Sequence, residues 1–200
     1  MSNKWIDELA WDKQGGLLPA VIQDASTLGV LMLGYMDRAA LLATLECGEV
    51  TFFSRSRQAL WRKGEQSGNV LRLVSIETDC DQDTLLVMAE PAGPTCHLGS
   101  TSCFPNAPHD VLSALDVRIA ERERERPAGS YTTTLFEAGV RRISQKVGEE
   151  GVETALAGVV QDDAALLGEA ADLLYHLLVL LRARGLSLAD AKAVLKSRES

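Results

Sequence analysis

Short apolar runs broken by Gly, Asp and Ser give way, near Phe104-Pro105-Asn106-Ala107-Pro108, to apolar residues at helical spacing. Before that break, Pro19 to Gln23, Val30 to Met36, Val50 to Ser54, Val70 to Thr78 and Thr84 to Ala89 read as strands. Asp37 to Cys47 reads as one helix, with Asp37 as N-cap and Gly48 just past its end. After the break the pattern predicts helices over Val111 to Arg126, Thr134 to Val147, Glu149 to Val160, Asp163 to Arg184 and Ser187 to Lys196. Gly185 separates the last two, and Ser187 with Asp190 forms a capping-box pattern. The expectation is two domains: a strand-rich α+β domain over residues 1–106 and an all-α domain over 107–200.

Length and charge narrow the picture. The chain has 200 residues, enough for one large or two small domains. A net charge of -8 lowers the prospect of a general nucleic-acid binder. Four cysteines in a chain this long do not suggest a disulfide-stapled secreted domain. Met1 to Leu9 carries acids and no apolar core, so it does not read as a signal peptide. The apolar run Leu173 to Leu181 is too short to span a bilayer. The expectation is a soluble cytoplasmic protein with reduced thiols and no membrane or nucleic-acid partner. Glu121 to Arg126 alternates in sign and reads as a solvated helix face.

Three clusters carry candidate chemistry. In the first, Asp79, Cys80, Asp81 and Asp83 are followed by Cys96, His97 and Cys103. Thiolates suit Zn²⁺ and carboxylates suit Mg²⁺. Three thiolates leave a fourth zinc position open for water, whose pKa falls to about 7. His97 could then move protons. An extended segment 79–83 would place the three aspartates on one face and Cys80 on the other. The alternative is that the cysteines are small buried hydrophobes and the aspartates cap a turn.

In the second cluster, Ser54, Arg55, Ser56 and Arg57 precede Trp61, Lys63, Ser67 and Asn69. Arginine forks and hydroxyls bind phosphate monoesters, and Gly64 and Gly68 let backbone amides approach an anion. Trp61 could stack on a base or close the core, and the whole segment could be a basic surface loop. In the third, Glu150 with Glu153, and Glu169 with Asp172, lie three apart on helices, so two packed helices would converge four carboxylates on a cation. Glu149 adds a fifth, and Arg141, Arg142 and Lys146 could hold phosphate. The alternative is a charged helix face, which the apolar setting of Glu169 and Asp172 weakens. His176 reads as a buried, hydrogen-bonded histidine rather than a ligand.

The chain also carries Leu31-Met32-Leu33-Gly34-Tyr35-Met36, Phe53-Ser54-Arg55-Ser56-Arg57, Leu60-Trp61-Arg62-Lys63-Gly64-Glu65 and Ser67-Gly68-Asn69. It adds Ser102-Cys103-Phe104, Ser130-Tyr131-Thr132, Lys146-Val147-Gly148-Glu149-Glu150 and Glu169-Ala170-Ala171-Asp172-Leu173-Leu174-Tyr175-His176. With the clusters above, in this order, the chain resembles the bifunctional histidine-biosynthesis family that joins phosphoribosyl-AMP cyclohydrolase to phosphoribosyl-ATP pyrophosphatase.

The resemblance implies pyrophosphate release from phosphoribosyl-ATP in the second domain, then water-driven opening of the adenine ring between N1 and C6 in the first. It implies Zn²⁺ on Cys80, Cys96 and Cys103, shared across a homodimer, with His97 as candidate general base. It implies Mg²⁺ on Asp79, Asp81 and Asp83, and again on Glu150, Glu153, Glu169 and Asp172. It implies that Tyr131 belongs to a substrate-binding segment. The second domain would be a helical bundle of the nucleotide pyrophosphohydrolase type, completed by dimerisation. Thr134 stands where relatives commonly carry Lys. The alternatives are a non-catalytic zinc-stabilised module fused to a helical dimerisation domain, and a housecleaning nucleotide pyrophosphatase with a degenerate first domain.

Overall fold

The computed structural model describes residues 4–198, so Met1 to Asn3, at the head of the segment read as leader-free, lie outside the described residues, as do Glu199 and Ser200. The chain forms two compact units that divide between Asp110 and Val111. The first opens with a short helix α1 (Trp5–Glu8) and a single 3-10 turn (Trp11–Gln14). Strands β1 (Leu18–Asp24) and β2 (Val30–Met36), helix α2 (Arg38–Cys47), and strands β3 (Thr51–Ser54), β4 (Ala59–Arg62), β5 (Leu71–Thr78) and β6 (Leu85–Pro91) follow.

Alternation explains the main sheet. Leu18, Ala20, Ile22 and Asp24 of β1 are buried while the residues between them are half-exposed. The four strands run in the order β2-β1-β6-β5, with β1 and β6 parallel and the other pairs antiparallel. Leu18, Ile22, Met36, Leu41, Leu71, Leu85 and Val87 form the buried core with Phe52. Each such side chain contributes roughly 1.5–3 kcal/mol. Helix α2 starts where the Asp37 carboxylate accepts the Ala40 amide at 2.7 Å, and stops at Gly48, which takes a left-handed φ of 70°. β3 and β4 form a separate hairpin. β4 is not among the strands that the hydrophobic pattern predicts; its residues fall in the basic segment proposed to bind phosphate or to form a surface loop.

The second unit is α3 (Val111–Glu125), α4 (Tyr131–Val160), α5 (Asp163–Ala183) and α6 (Leu188–Lys196). Two helices were expected where α4 runs through. Helix α4 starts at Tyr131, capped by Ser130, and passes through Gly148 without a break. The interruption falls instead at Gly139, whose φ of 81° and ψ of 172° are open to glycine but costly for other residues. Ile119, Leu135, Ile143, Leu178 and Val179 make the core. Ser187 and Asp190 form the expected reciprocal cap of α6. Val152, Leu156 and Val159 of α4 and Leu167, Leu174 and Leu177 of α5 remain exposed. The full length of α5 passes the length and hydropathy test for crossing a membrane, which the shorter run Leu173 to Leu181 did not suggest, and only 17% of its apolar window is buried.

Gly34 of β2 faces Phe52 so closely that an added Cβ would sit 2.3 Å from the ring. Gly34→Ala therefore overpacks the first core, at a cost of about 1–3 kcal/mol. Urea unfolding should show this as a lower midpoint; an unchanged midpoint would mean that Phe52 moves aside freely.

Candidate functional site

Residues 79–83 are a turn, not the extended segment expected from the alternating aspartates. The Asp79 carboxylate accepts the amides of Asp83 and Thr84, each at 3.0 Å, and Gln82 takes a left-handed φ of 61°. Local side-chain-to-backbone bonding wins over the strand pattern here. The turn does what the strand was expected to do: one carboxylate oxygen from each of Asp79, Asp81 and Asp83 lies within 4.8 Å of the others. Desolvation pushes the Asp79 carboxyl up, but the amides of Thr84 and Asp83 outweigh it and hold it below its ordinary value. Lys13, from the 3-10 turn, reaches this cluster with its Nζ 2.6 Å from Asp81 and 3.4 Å from Asp83. Nothing in the sequence pattern pointed to Lys13, because the approach spans distant parts of the chain.

Cys96 and Cys103 lie on the loops after β6. Cys103 is fixed because its amide donates to the Leu31 carbonyl at 2.8 Å, beside Ser102, whose hydroxyl donates to the Val30 carbonyl at 2.6 Å. The two thiols interact as a pair. The Leu98 amide and then the Ser100 side chain pull Cys96 below the ordinary thiol value, while desolvation and Cys96 push Cys103 up. Lys63 is buried nearby; desolvation lowers its pKa, opposed by the charges of Cys103 and Cys96. His97 is exposed, with Nδ1 3.9 Å from the Cys96 sulfur. Thr95 keeps a buried hydroxyl without a partner one residue away. Paired thiols with an adjacent imidazole suit a thiophilic cation such as zinc. Cys80 is exposed on the acidic turn, and among the described residues the three thiols do not form one cluster within a single chain.

The basic segment resolves into parts. Trp61 packs on Phe52 with centroids 5.7 Å apart and closes the core. Ser54 and Ser56 pair their hydroxyls at 3.3 Å in the exposed β3–β4 turn, where Arg57 is also exposed. The Arg55 guanidinium lies 3.9 Å over the Tyr35 ring. Gly64, at φ 84°, lets Asn69 approach so closely that a Cβ would meet the Asn69 carbonyl oxygen at 2.3 Å. Ser67 accepts the Asn69 amide at 3.3 Å. Lys63 thus faces the thiols, whereas Arg55 and Arg57 face solvent.

In the second unit α4 and α5 bring Glu150, Glu169 and Asp172 together, with one oxygen of each within 4.8 Å of the others. Glu150 is 4% exposed. Lys146 holds it at 2.5 Å and keeps its carboxyl below the ordinary value. Glu153 sits at the margin, pushed up by desolvation and then by Glu150 and Glu169. Glu149 turns away to Gln145 at 2.8 Å and Arg142 at 3.4 Å, though Lys146 remains 3.2 Å from it. Arg141 is exposed. An all-oxygen set with one buried carboxylate suits Mg²⁺.

His176 is buried, as expected. Its Nδ1 donates to the Asp172 carbonyl at 2.9 Å and lies 3.6 Å from Glu150. In the neutral ring, Nε2 then accepts the Tyr131 hydroxyl at 3.1 Å. Tyr131 is therefore tied to His176, and its neighbour Thr132 bonds Tyr175 at 2.8 Å.

The described residues thus hold three candidate metal sites, a thiol pair and an acidic turn on the α+β unit and an all-oxygen cluster on the helical unit. Residues 32–105 match the family model Phosphoribosyl-AMP cyclohydrolase, and residues 112–199 match Phosphoribosyl-ATP pyrophosphohydrolase. The chain is similar to the histidine biosynthesis bifunctional protein HisIE of Xanthomonas axonopodis pv. citri, with 73% identity over 95% of this chain and 92% of the relative. The proteins of the same name from Shewanella oneidensis and Escherichia coli K12 are 57% and 55% identical, over 96% of this chain and 91% and 95% of theirs. The chain belongs to this family of bifunctional histidine-biosynthesis proteins.

The Lys146–Glu150 pair has a defined pH signature in metal-free protein. Glu150 has a lowered folded pKa, so its stabilisation is present above the unfolded glutamate value of about 4.3 and is lost as pH falls through the folded value. Lys146 has a raised folded pKa, so its share is present below about 10.4 and is lost as pH rises beyond it. Lys146→Met should lower stability throughout that window and flatten the loss below pH 4.3. Unfolding curves in excess chelator from pH 3 to 7 that matched the parent at every pH would disprove the coupling.

Proposed function

We infer that the chain is a bifunctional hydrolase of histidine biosynthesis: it hydrolyses phosphoribosyl-ATP to phosphoribosyl-AMP and pyrophosphate, then opens the adenine ring of phosphoribosyl-AMP. The observation that carries this is the pair of family matches, each of which falls inside one compact unit. The working division is residues 1–106 for ring opening and 107–200 for pyrophosphate release.

In the second unit Glu150, Glu153, Glu169 and Asp172 would hold Mg²⁺, and Glu149 is the outer member of the set. What magnesium supplies when bound is charge neutralisation along the triphosphate. Lys146 orients Glu150, while Arg141 and Arg142 offer further positive charge to phosphate. The Tyr131–His176 pair fixes the backbone beside Asp172. The nucleotide pyrophosphohydrolase type of bundle is supported by the two carboxylate pairs on packed helices.

In the first unit Cys80, Cys96 and Cys103 would hold zinc, with Cys80 coming from a second copy, because one chain pairs only two of the thiols. What zinc supplies when bound is a water acidified to a pKa of about 7. His97, exposed beside Cys96, delivers or accepts the proton at the ring nitrogen that departs. Asp79, Asp81 and Asp83 would hold Mg²⁺, displacing Lys13. Ser54, Arg55, Ser56 and Arg57 take substrate phosphate at the hairpin turn, with Ser67 and Asn69 on the Gly64-closed loop. Lys63 and Trp61 shape the inner wall.

A homodimer is supported by the exposed apolar stripes of α4 and α5. Covering α5 with a second copy fits better than lipid, since Glu169 and Asp172 lie on it and charges are costly in a bilayer. Cytoplasmic residence is supported by four free cysteines and the acidic balance.

Cys96→Ala should remove bound zinc and ring opening together while pyrophosphate release persists. A zinc-free Cys96→Ala protein with normal ring opening would refute the assignment. Glu153→Gln should do the reverse, abolishing pyrophosphate release and sparing ring opening. Sedimentation tests the interface: a Val159→Glu, Leu167→Glu double variant should shift the particle toward the monomer mass, and an unshifted dimer would place the contact elsewhere.

A further inference from the structure

The second unit holds an open cleft of about 400 Å³. Its walls include Arg118 and Arg122 of α3, Ser130 and Thr132 at the start of α4, and Tyr175 of α5. Arg118 and Arg122 are four apart on one helix face, so both guanidinium groups serve the same wall. The charge run from Glu121 to Arg126 does not neutralise them. Arg124 pairs with Glu125 at 2.9 Å, Glu123 pairs with Arg182 at 2.7 Å, and Arg126 lies over the Phe136 ring. Among the described residues, neither Arg118 nor Arg122 has a carboxylate within ion-pair distance, and no acidic residue lines the cleft.

The cleft and the cluster are linked through neighbouring residues of α4 and α5. Thr132 and Tyr175 bond to each other at 2.8 Å on the cleft side. Their chain neighbours Tyr131, one residue before Thr132, and His176, one residue after Tyr175, bond at 3.1 Å, and His176 reaches the Asp172 carbonyl and Glu150. A molecule spanning these residues would meet a carboxylate set at one end and paired arginines at the other. Carboxylates repel phosphate unless a cation intervenes, so the cluster takes a phosphate chain only with its metal. Two arginine forks accept a dianionic phosphate directly. Ser130 accepts the Thr133 amide at 3.4 Å, which leaves its O–H to donate.

We propose that Arg118 and Arg122 form the subsite for the phosphate monoester of phosphoribosyl-ATP, the phosphate at the opposite end from the triphosphate. This rests on the reading that the second unit cleaves phosphoribosyl-ATP. The cleft adds specificity to that reading: a nucleoside triphosphate without the second phosphate leaves two arginines unpaired. The two residues touch substrate remote from the bond that breaks, so their binding energy appears in affinity rather than in the chemical step.

The test uses the full chain with Mg²⁺ and follows pyrophosphate release. Arg118→Met and Arg122→Met should each raise KM for phosphoribosyl-ATP roughly 10- to 100-fold, as expected for loss of a charge-assisted contact, with kcat little changed. Ribose 5-phosphate should inhibit the parent competitively and weaken by a similar factor in both variants. Inhibition by magnesium pyrophosphate should stay at the parent value, and Arg122→Lys should recover part of the affinity. Unchanged KM and unchanged ribose 5-phosphate inhibition in the double variant would overturn the proposal. So would an equal loss of pyrophosphate inhibition, which would assign the arginines to the triphosphate. If a Met variant does not fold, Arg122→Lys against the parent decides by the same ratio of the two inhibitors. If the parent releases no pyrophosphate, the activity reading fails by itself. Calorimetric titration with ribose 5-phosphate, parent against Arg122→Lys, still decides the cleft: binding that weakens in the variant supports it, and absent or equal binding overturns it.

Discussion

Negative charge gathered at short range is the constraint from which both carboxylate clusters follow. Two unit charges 4.8 Å apart repel by about 3 kcal/mol at the effective dielectric near a protein surface. Three carboxylates held that close are stabilised by a nearby cation. In each unit a lysine supplies part of it: Lys13 at the Asp79–Asp81–Asp83 turn and Lys146 at Glu150. Each place sets three converging carboxylates against one ammonium, a net negative charge that favours a divalent cation. Two unrelated folds arrive at the same charge balance, one through an aspartate-capped turn and the other through packed helices.

The lysines differ in how firmly they are placed. Lys13 is about half exposed and approaches a turn whose aspartates are also largely open, so its ion pair is of the weak, screened kind. A divalent ion can displace it at little cost. Lys146 is one helical turn before its partner, and Glu150 is buried, so the ammonium holds a carboxylate that solvent does not reach. That difference suits the two centres to different tasks. The first can exchange its cation, whereas the second keeps one carboxylate aligned whether or not a metal is bound.

Much of the fold was legible because hydrophobic period and capping agree. β1, β2, β5, β6 and α2 fall close to their expected spans, and Asp37, Gly48, Ser187 and Asp190 punctuate as their chemistry requires. The misses are local. β4 was hidden because Leu60 and Trp61 sit among basic residues, so its hairpin pairing with β3 outweighed its composition. The break in α4 was placed beside Gly148 rather than at Gly139. Both are glycines, and nothing in the sequence says which one the packing of Ile143 and Glu150 will hold in the helix. At the sites, spacing anticipated that Asp79, Asp81 and Asp83, and Glu150, Glu169 and Asp172, would come together, but for the aspartates through a strand rather than a turn. A three-residue alternation looks the same whether it lines a strand or closes on its own backbone. Lys13 left no signal, since its approach to the aspartates is tertiary, and Arg122 lay in a run that reads as a solvated helix face.

The two units also share an incompleteness of one physical kind. Unit one pairs Cys96 with Cys103 and leaves Cys80 apart, on the turn that carries the aspartates. Unit two leaves Val152, Leu156 and Val159 on one face of α4 and Leu167 and Leu174 on α5 in water. Apolar surface of that extent on packed helices is stabilised by covering it, at roughly 25 cal/mol for each Å² removed from water. A single proposed event, association with a second copy, supplies both the cover and a third thiol. The apolar stripe provides the driving force, because it gains on burial without needing a ligand. The thiol set provides none until its metal binds, since a lone cysteine brought beside two others adds little packing.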